Sequence, residues 1–267
     1  MAQLPLIIEP EDFASLDTRH CLILDLSSEA NHLAGHIPGA IYLPFKLLMC
    51  GQPPAPGKIP SEQHIQQLFS QLGITPDTHI IAYDDEGGGW AGRLIWTLDV
   101  IGHSHYSYIN GGLTAWKQAK LPLETRLNNP TASAPMAIQF NPEYILSTED
   151  VTAFIGQPNY TIWDARTAAE YSGEKVLAAK GGHIPGAIHC EWTELMDHNN
   201  GLKIRLDALD YLKAKGITSD SPIVTHCQSH HRSAFTYLVG KSLGFNIHGY
   251  HGSWSEWGNL PDTPVER

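Results

Sequence analysis

The residues best suited to chemistry lie in THCQSHHRSAF, residues 225–235. Four residues, Gln228, Ser229, His230 and His231, separate Cys227 from Arg232. A cysteine sulfur is a nucleophile as the thiolate, not the thiol. Three features here favour the thiolate. The run RSAFTYLVGKSLG after the loop reads as a helix, so its unpaired N–H groups and dipole bring partial positive charge to the loop. A tight turn also aims consecutive backbone N–H groups inward as an anion nest. Arg232 adds a fixed cation, and His230 and His231 add charge when protonated. A nucleophile that is already ionised needs no separate general base. The pattern predicts a nucleophilic Cys227 in an anion-accepting loop.

Other readings of these residues are weaker. A cysteine at a strand end is often a small buried apolar residue, but such ends do not usually run into a polar stretch like QSHHRS. Cys227 with His226, His230 and His231 offers zinc-ligand chemistry, yet the spacing matches no common zinc pattern and no CxxC or HxxxH completes a tetrahedron. No metal or cofactor is expected. Ser229 lacks the GxSxG context of a serine nucleophile. The Cys-to-Arg loop resembles that of cysteine phosphatases but is one residue shorter.

The elements that hold this loop occur twice. GHIPGA stands at 35–40 and again at 182–187, which signals an internal repeat. LILDLSSEANHLA precedes the first copy and TIWDARTAAEYSG the second, with EKVLAAKG inserted in the second. HIIAYDDEGGGWAGRLIW then matches PIVTHCQSHHRSAFTY, and YINGGLTAW matches GYHGSWSEW. Two homologous domains follow, at 1–123 and 141–267. A linker at 124–140 joins them, beginning with the polar, Pro-containing ETRLNNPTASAPM. In the second half TIWDA, PIVTHC and NIHGY read as strands. RLDALDYLKAKG and RSAFTYLVGKSLG read as helices stopped by Gly, and SWSEW starts a last helix. Alternating strands and helices predict an α/β fold, each domain a mainly parallel sheet flanked by helices. Ligands in such sheets bind beyond the carboxyl ends of strands, which is where Cys227 falls. The repeat puts Asp84 in the place of Cys227, so the first domain is expected to be catalytically inactive.

The chain has 267 residues, 42% hydrophobic and 17% charged, enough for a substantial core. Its net charge of −11 makes nucleic acid and anionic membrane poor general partners. Any anion site must therefore be built locally. The start, MAQLPLIIEPEDF, has no basic-then-apolar pattern of a signal peptide, and no apolar run is long enough to span a membrane. Four scattered cysteines, Cys21, Cys50, Cys190 and Cys227, read as reduced and the protein as cytoplasmic.

The sequence resembles the two-domain (tandem) rhodaneses, in particular the bacterial thiosulfate:cyanide sulfurtransferases. The resemblance rests on the twin GHIPGA words, DARTAAEY (164–171), CQSHHR (227–232) and HGSWSEWGNLPDTPVE (251–266). It implies a ping-pong reaction in which a Cys227 persulfide carries sulfane sulfur from thiosulfate to cyanide or a thiol. Gln228 to Ser233 would supply backbone donors to the substrate, and Arg232 positive charge. Asp164 and Arg166 match a strand-end pair of the family, read as an ion pair supporting the loop. The alternatives are a 3-mercaptopyruvate sulfurtransferase, a sulfur carrier to a protein acceptor, and a cysteine phosphatase on the same fold. The two loop histidines fit neither the more cationic thiosulfate-type nor the small neutral mercaptopyruvate-type loops of the mammalian enzymes. Glu170 stands where an arginine often contacts substrate. Cys190, Trp254 and Trp257 are expected in the core.

Overall fold

The structure is a computed structural model in which residues 4–267 are described. It holds two five-stranded parallel sheets, one in each half of the chain. Strands β1 (Ile7–Ile8), β2 (Cys21–Asp25), β3 (Ile41–Tyr42), β4 (His79–Tyr83) and β5 (Tyr106–Ile109) form the first sheet. Their order is β1-β5-β4-β2-β3, all parallel. In the second half come β6 (Ile145–Leu146), β7 (Thr161–Asp164), β8 (Ile188–His189), β9 (Met196–Asp197), β10 (Lys203–Ile204), β11 (Ile223–His226) and β12 (Ile247–Tyr250). The second sheet runs β6-β12-β11-β7-β8, again parallel, while β9 and β10 pair as an antiparallel hairpin.

The central strands are apolar and sit between helices, so both faces of each sheet are covered. In the second sheet Ile162 of β7 and Val224 of β11 pack with Val151, Ile184, Tyr250, Trp254 and Trp257 in one buried cluster. Trp254 and Trp257 are fully buried as expected, and large aromatic side chains dominate such a core. The indole N–H of Trp257 donates to Pro264 O at 2.8 Å, so its one polar group is satisfied. The first sheet has its own cluster around Ile23, Ile81, Tyr83, Ile109 and Trp116.

The GHIPGA words make the same clamp in both halves. The His36 and Glu124 backbones pair as a bridge, and the Gly39 N–H donates to the Glu124 carboxylate at 2.8 Å. His183 pairs with Glu266 in the same way, and the Gly186 N–H donates to the Glu266 carboxylate at 3.0 Å. The stretch that begins as the predicted linker thus opens with a residue locked to the first GHIPGA turn. Further along it, the Ser133 N–H donates to Ser70 O and the Met136 carbonyl accepts from Gln66.

Two short segments cross the sequence halves. One compact unit contains the chain up to Leu48, Pro60–Phe140 and Met196–Ile204; the other contains Met49–Ile59, Asn141–Leu195 and Arg205–Arg267. The two inserted segments occupy matching places in the repeat. Each follows a short 3-10 helix, Phe45–Leu48 or Trp192–Leu195, and each ends in Lys-Ile, Lys58-Ile59 or Lys203-Ile204. In the first unit the β9–β10 hairpin lies close over the Gly87 backbone, where Met196 and Leu202 come within 3.0–3.1 Å of any added Cβ.

Candidate active site

Strand β11 ends at His226, and the helix Arg232–Ser242 begins five residues after Cys227. The loop between them is held from several sides. The Trp254 N–H donates to Cys227 O and the Ser255 N–H to Gln228 O, both at 2.9 Å. These two donors come from the first turn of the helix Ser253–Trp257. Ser253 stands just before them with φ +52°, and its hydroxyl donates to Tyr250 O. Within the loop His230 also takes a positive φ, +53°, a left-handed conformation uncommon outside Gly and Asn. Such strain persists only where neighbours over-determine the backbone. One ring nitrogen of buried His230 lies 2.8 Å from the Ser233 hydroxyl.

The Cys227 sulfur is buried, and burial pushes a thiol up. Here the opposing effects win: the Arg232 guanidinium, then the Ser233 hydroxyl and N–H and the Ser229 N–H, hold the thiol below its ordinary value. Cys190 shows the contrast. It too is buried, and burial, then Glu194, push its thiol up to about 12 against the weaker pull of Lys215 and Arg205.

Arg232 has a partner that its place in the loop does not announce. Its two terminal nitrogens fork onto Glu170, Nη1 to Oε2 at 2.7 Å and Nη2 to Oε1 at 2.8 Å. The pair is bidentate and nearly buried, the arrangement in which arginine holds a carboxylate most firmly. Glu170 is presented by a capping box, its carboxylate accepting from the Thr167 hydroxyl at 2.9 Å. Burial raises the Glu170 carboxyl, but Arg232 and then Thr167 more than offset it, and its pKa lies below the ordinary value. Arg232 is therefore a braced cation beside the sulfur rather than one reaching freely into solvent.

Asp164 and Arg166 form the expected pair. Arg166 Nε and Nη2 donate to Asp164 Oδ1 and Oδ2 at 2.9 and 2.5 Å, and Nη2 also donates to Gly182 O. The guanidinium lies 4.2 Å from the centre of the Trp254 ring. Arg166 thus ties the end of β7 to the helix whose N–H groups hold Cys227 and Gln228. His226, opposite Asp164 in the sheet, is depressed to about 4 by burial, against the pull of Asp164. His231 stands with its ring 5.6 Å from that of Trp192, and Gln228 Nε2 donates to Leu177 O at 3.3 Å. Among the described residues no group of three or more His, Cys, Asp or Glu is placed to hold a metal ion.

The first unit carries the matching loop. Asp84 directly follows β4, as Cys227 follows β11. Its carboxylate is fully buried and accepts four backbone N–H bonds. Glu86 and Gly88 donate to Oδ1 at 3.1 and 2.8 Å, and Trp90 and Ala91 to Oδ2 at 2.9 Å each. Gly87 and Gly88 supply positive φ for the turn. The loop is an anion nest filled by its own side chain. Burial, then Glu86, push the Asp84 carboxyl up to about 7 while the N–H donors pull it down.

These two loops and two sheets place the chain among known proteins. The profile of the rhodanese-like domain matches residues 9–119 and 147–260. The chain belongs to the rhodanese-like family. A thiosulfate sulfurtransferase of Azotobacter vinelandii is 52% identical over 267 residues, which is 99% of this rhodanese-like chain and 98% of the relative. One from Pseudomonas aeruginosa is 49% identical with the same coverage. A 3-mercaptopyruvate sulfurtransferase of Escherichia coli is 34% identical over 91% of this chain and 87% of the relative. The anaerobic ergothioneine biosynthesis enzyme of Chlorobium limicola, solved with trimethyl histidine, superposes with a TM-score of 0.86. It is 19% identical over 98% of this chain and 70% of its own, a likeness of fold.

The rhodanese-like loop CQSHHR holds Ser229, Arg232 and Ser233 at the Cys227 sulfur and His230 against Ser233. Sequence reasoning missed three features. Glu170 is the counter-ion of Arg232, for which the T-x-x-E capping pattern was the only signal. The Ser253–Trp257 turn grips the loop backbone. The third is the segment 49–59, which packs on Ser229.

Proposed function

We propose that the protein is a thiosulfate sulfurtransferase that works through a persulfide on Cys227. The observation that carries this reading is the Cys227 sulfur. It is fully enclosed at a strand end, yet held toward the thiolate by Arg232, Ser229 and Ser233. The near-full-length thiosulfate sulfurtransferase relatives support thiosulfate as donor.

In the first half-reaction the thiolate attacks the outer sulfur of thiosulfate. A new S–S bond forms to Cys227, the S–S bond of thiosulfate breaks, and its electron pair leaves with sulfite. In the second, cyanide or a thiolate attacks the outer persulfide sulfur, and the electron pair of that S–S bond returns to Cys227. Ser229 and Ser233 hold the negative sulfur before attack and after release, so stabilisation is pre-set rather than reorganised at each turn. Arg232 contributes as a fixed charge whose reach is limited by Glu170.

The test is thiocyanate formation from thiosulfate and cyanide by the wild type and by Cys227→Ser. Turnover should follow a ping-pong rate law and vanish in the variant. A Cys227→Ser protein that still makes thiocyanate at wild-type rates contradicts the assignment.

A further inference from the structure

The segment 49–59, CGQPPAPGK with its flanks, lies in the first half of the sequence but in the compact unit that contains Cys227. It folds back on itself: the Cys50 N–H donates to Lys58 O at 2.7 Å and the Gly51 N–H to Pro56 O at 3.0 Å. Its far end presses on the Cys227 loop. A Cβ at Gly57 would stand 2.1 Å from Ser229 O, 2.6 Å from Ser229 C and 2.8 Å from its Cα. All three are backbone atoms, so a side chain there must move one backbone or the other. The next two residues tie the same end to the segment after β12. Lys58 Nζ donates to Glu256 Oε1, and the Ile59 N–H donates to His251 Nδ1 at 3.2 Å. Glu256 belongs to the helix whose Trp254 and Ser255 N–H groups hold Cys227 O and Gln228 O.

Each part of the loop therefore has its own brace. Cys227 and Gln228 are gripped by the Ser253–Trp257 turn, Arg232 by Glu170, and Ser229 by Gly57. Ser229 is the loop residue whose N–H reaches the sulfur from the middle of the turn, next to the strained His230.

We propose that Gly57 and Lys58 are positioning residues for sulfur transfer, setting the place of the Ser229 backbone and so of the N–H that holds the Cys227 sulfur. Gly57 does this by close backbone approach, which glycine alone permits. Lys58 does it by locking the segment to Glu256. The inference rests on Cys227 as the sulfur-carrying residue.

The experiment is the pH dependence of Cys227 alkylation by iodoacetamide, read by mass on the Cys227 peptide, with thermal melting and thiosulfate:cyanide turnover measured alongside. Gly57→Ala should move the alkylation midpoint up, with a rate at neutral pH lower by roughly three- to tenfold, as fewer thiolates are present. Lys58→Met leaves the segment backbone intact and should shift the midpoint the same way by less. Lys58→Arg should restore it. The exposed Gln52→Ala in the same segment should match wild type. If Gly57→Ala does not fold, Lys58→Met and Lys58→Arg decide the matter. Midpoints equal to wild type in every folded variant overturn the assignment, as does a Lys58→Met that loses its fold. Alkylation reports the thiol whether or not sulfur transfer follows. An unchanged profile with transfer intact thus removes the positioning role alone, and a wild type that makes no thiocyanate removes the functional reading alone.

Discussion

At Cys227 burial and hydrogen bonding pull in opposite directions, and the reactivity of the site is the difference. Arg232 is the largest single contributor on the thiolate side, and Glu170 restrains it. The two charges should therefore act with opposite sign. Arg232→Ala should raise the alkylation midpoint of Cys227 and cut kcat/KM for thiosulfate roughly tenfold or more, about 1.4 kcal/mol of transition-state stabilisation. Arg232→Lys should recover only part, since lysine lacks the planar fork that Glu170 matches. Glu170→Gln should move the midpoint down by unmasking the guanidinium. Midpoints that shift the same way in Arg232→Ala and Glu170→Gln would contradict the pairing. The nucleophile was legible in the sequence because the cysteine, its donors and the cation are contiguous letters. The counter-ion was not, because Glu170 and Arg232 are 62 positions apart and meet only when β7 lies beside β11. A carboxylate at position 170 read as a missing substrate contact is instead the brace of Arg232.

Among the elements, the paired strand-to-helix turns after β4 and β11 carry the contrast between the halves. Both bend backbone N–H groups around an anion. In one that anion is the Cys227 sulfur, in the other the Asp84 carboxylate. Asp84→Ala should leave four N–H donors, two buried and two half-buried, without an acceptor. It should destabilise its unit by about 2–4 kcal/mol, the cost of a few unmet buried groups. Urea unfolding measures this, and a loss within about 0.5 kcal/mol, as for an ordinary surface change, would show that the nest does not need its occupant. The pH profile gives a second check. The folded carboxyl titrates at about 7, above its unfolded value of 3.8, so the fold binds that proton more tightly than the unfolded chain does. Its stabilising contribution is complete below the unfolded pKa and is lost as pH rises through about 7. Between pH 5 and 8 the wild-type melting temperature should fall relative to that of Asp84→Asn, which cannot titrate there. Parallel curves would contradict a raised Asp84. The central strands were readable from their apolar runs: TIWDA, PIVTHC and NIHGY appear as β7, β11 and β12. The edge strands, such as Ile7–Ile8 and Ile188–His189, span two residues each, too few to show alternation. The segment 49–59 read only as Pro/Gly-rich loop, and nothing in its composition says which half of the chain it packs on. Its traces in the sequence are the Leu-Met at 48–49 that recurs at 195–196 and the Lys-Ile at 58–59 that recurs at 203–204.

Over the whole molecule, the duplicated fold leaves one reactive loop and one self-filled loop in a chain of net charge −11. No helix of the described residues is long and apolar enough to cross a membrane. On the proposed reading, attraction for an anionic donor is local, made by loop N–H groups and a partly neutralised Arg232 against an unfavourable overall field. A compact dianion suits such a nest better than a keto acid, whose carboxylate would want the cation that Glu170 holds. Thiosulfate should show the higher kcat/KM, and it should fall with added salt more weakly than for an open cationic site, because the donors are buried. A higher kcat/KM for 3-mercaptopyruvate would reverse that preference. The repeat itself was visible in twin words such as GHIPGA, while the exchange of segments between the halves needed the three-dimensional structure. Cys227 alone is expected to carry transferable sulfur. This is tested most directly by the intact mass of the wild type and of Cys227→Ser after incubation with thiosulfate and removal of excess donor. The wild type should gain the mass of one sulfur atom, lose it on adding cyanide, and show it on the Cys227 peptide, while Cys227→Ser gains nothing. A wild type that gains no sulfur, or a Cys227→Ser chain that gains it on Cys21, Cys50 or Cys190, would contradict the account.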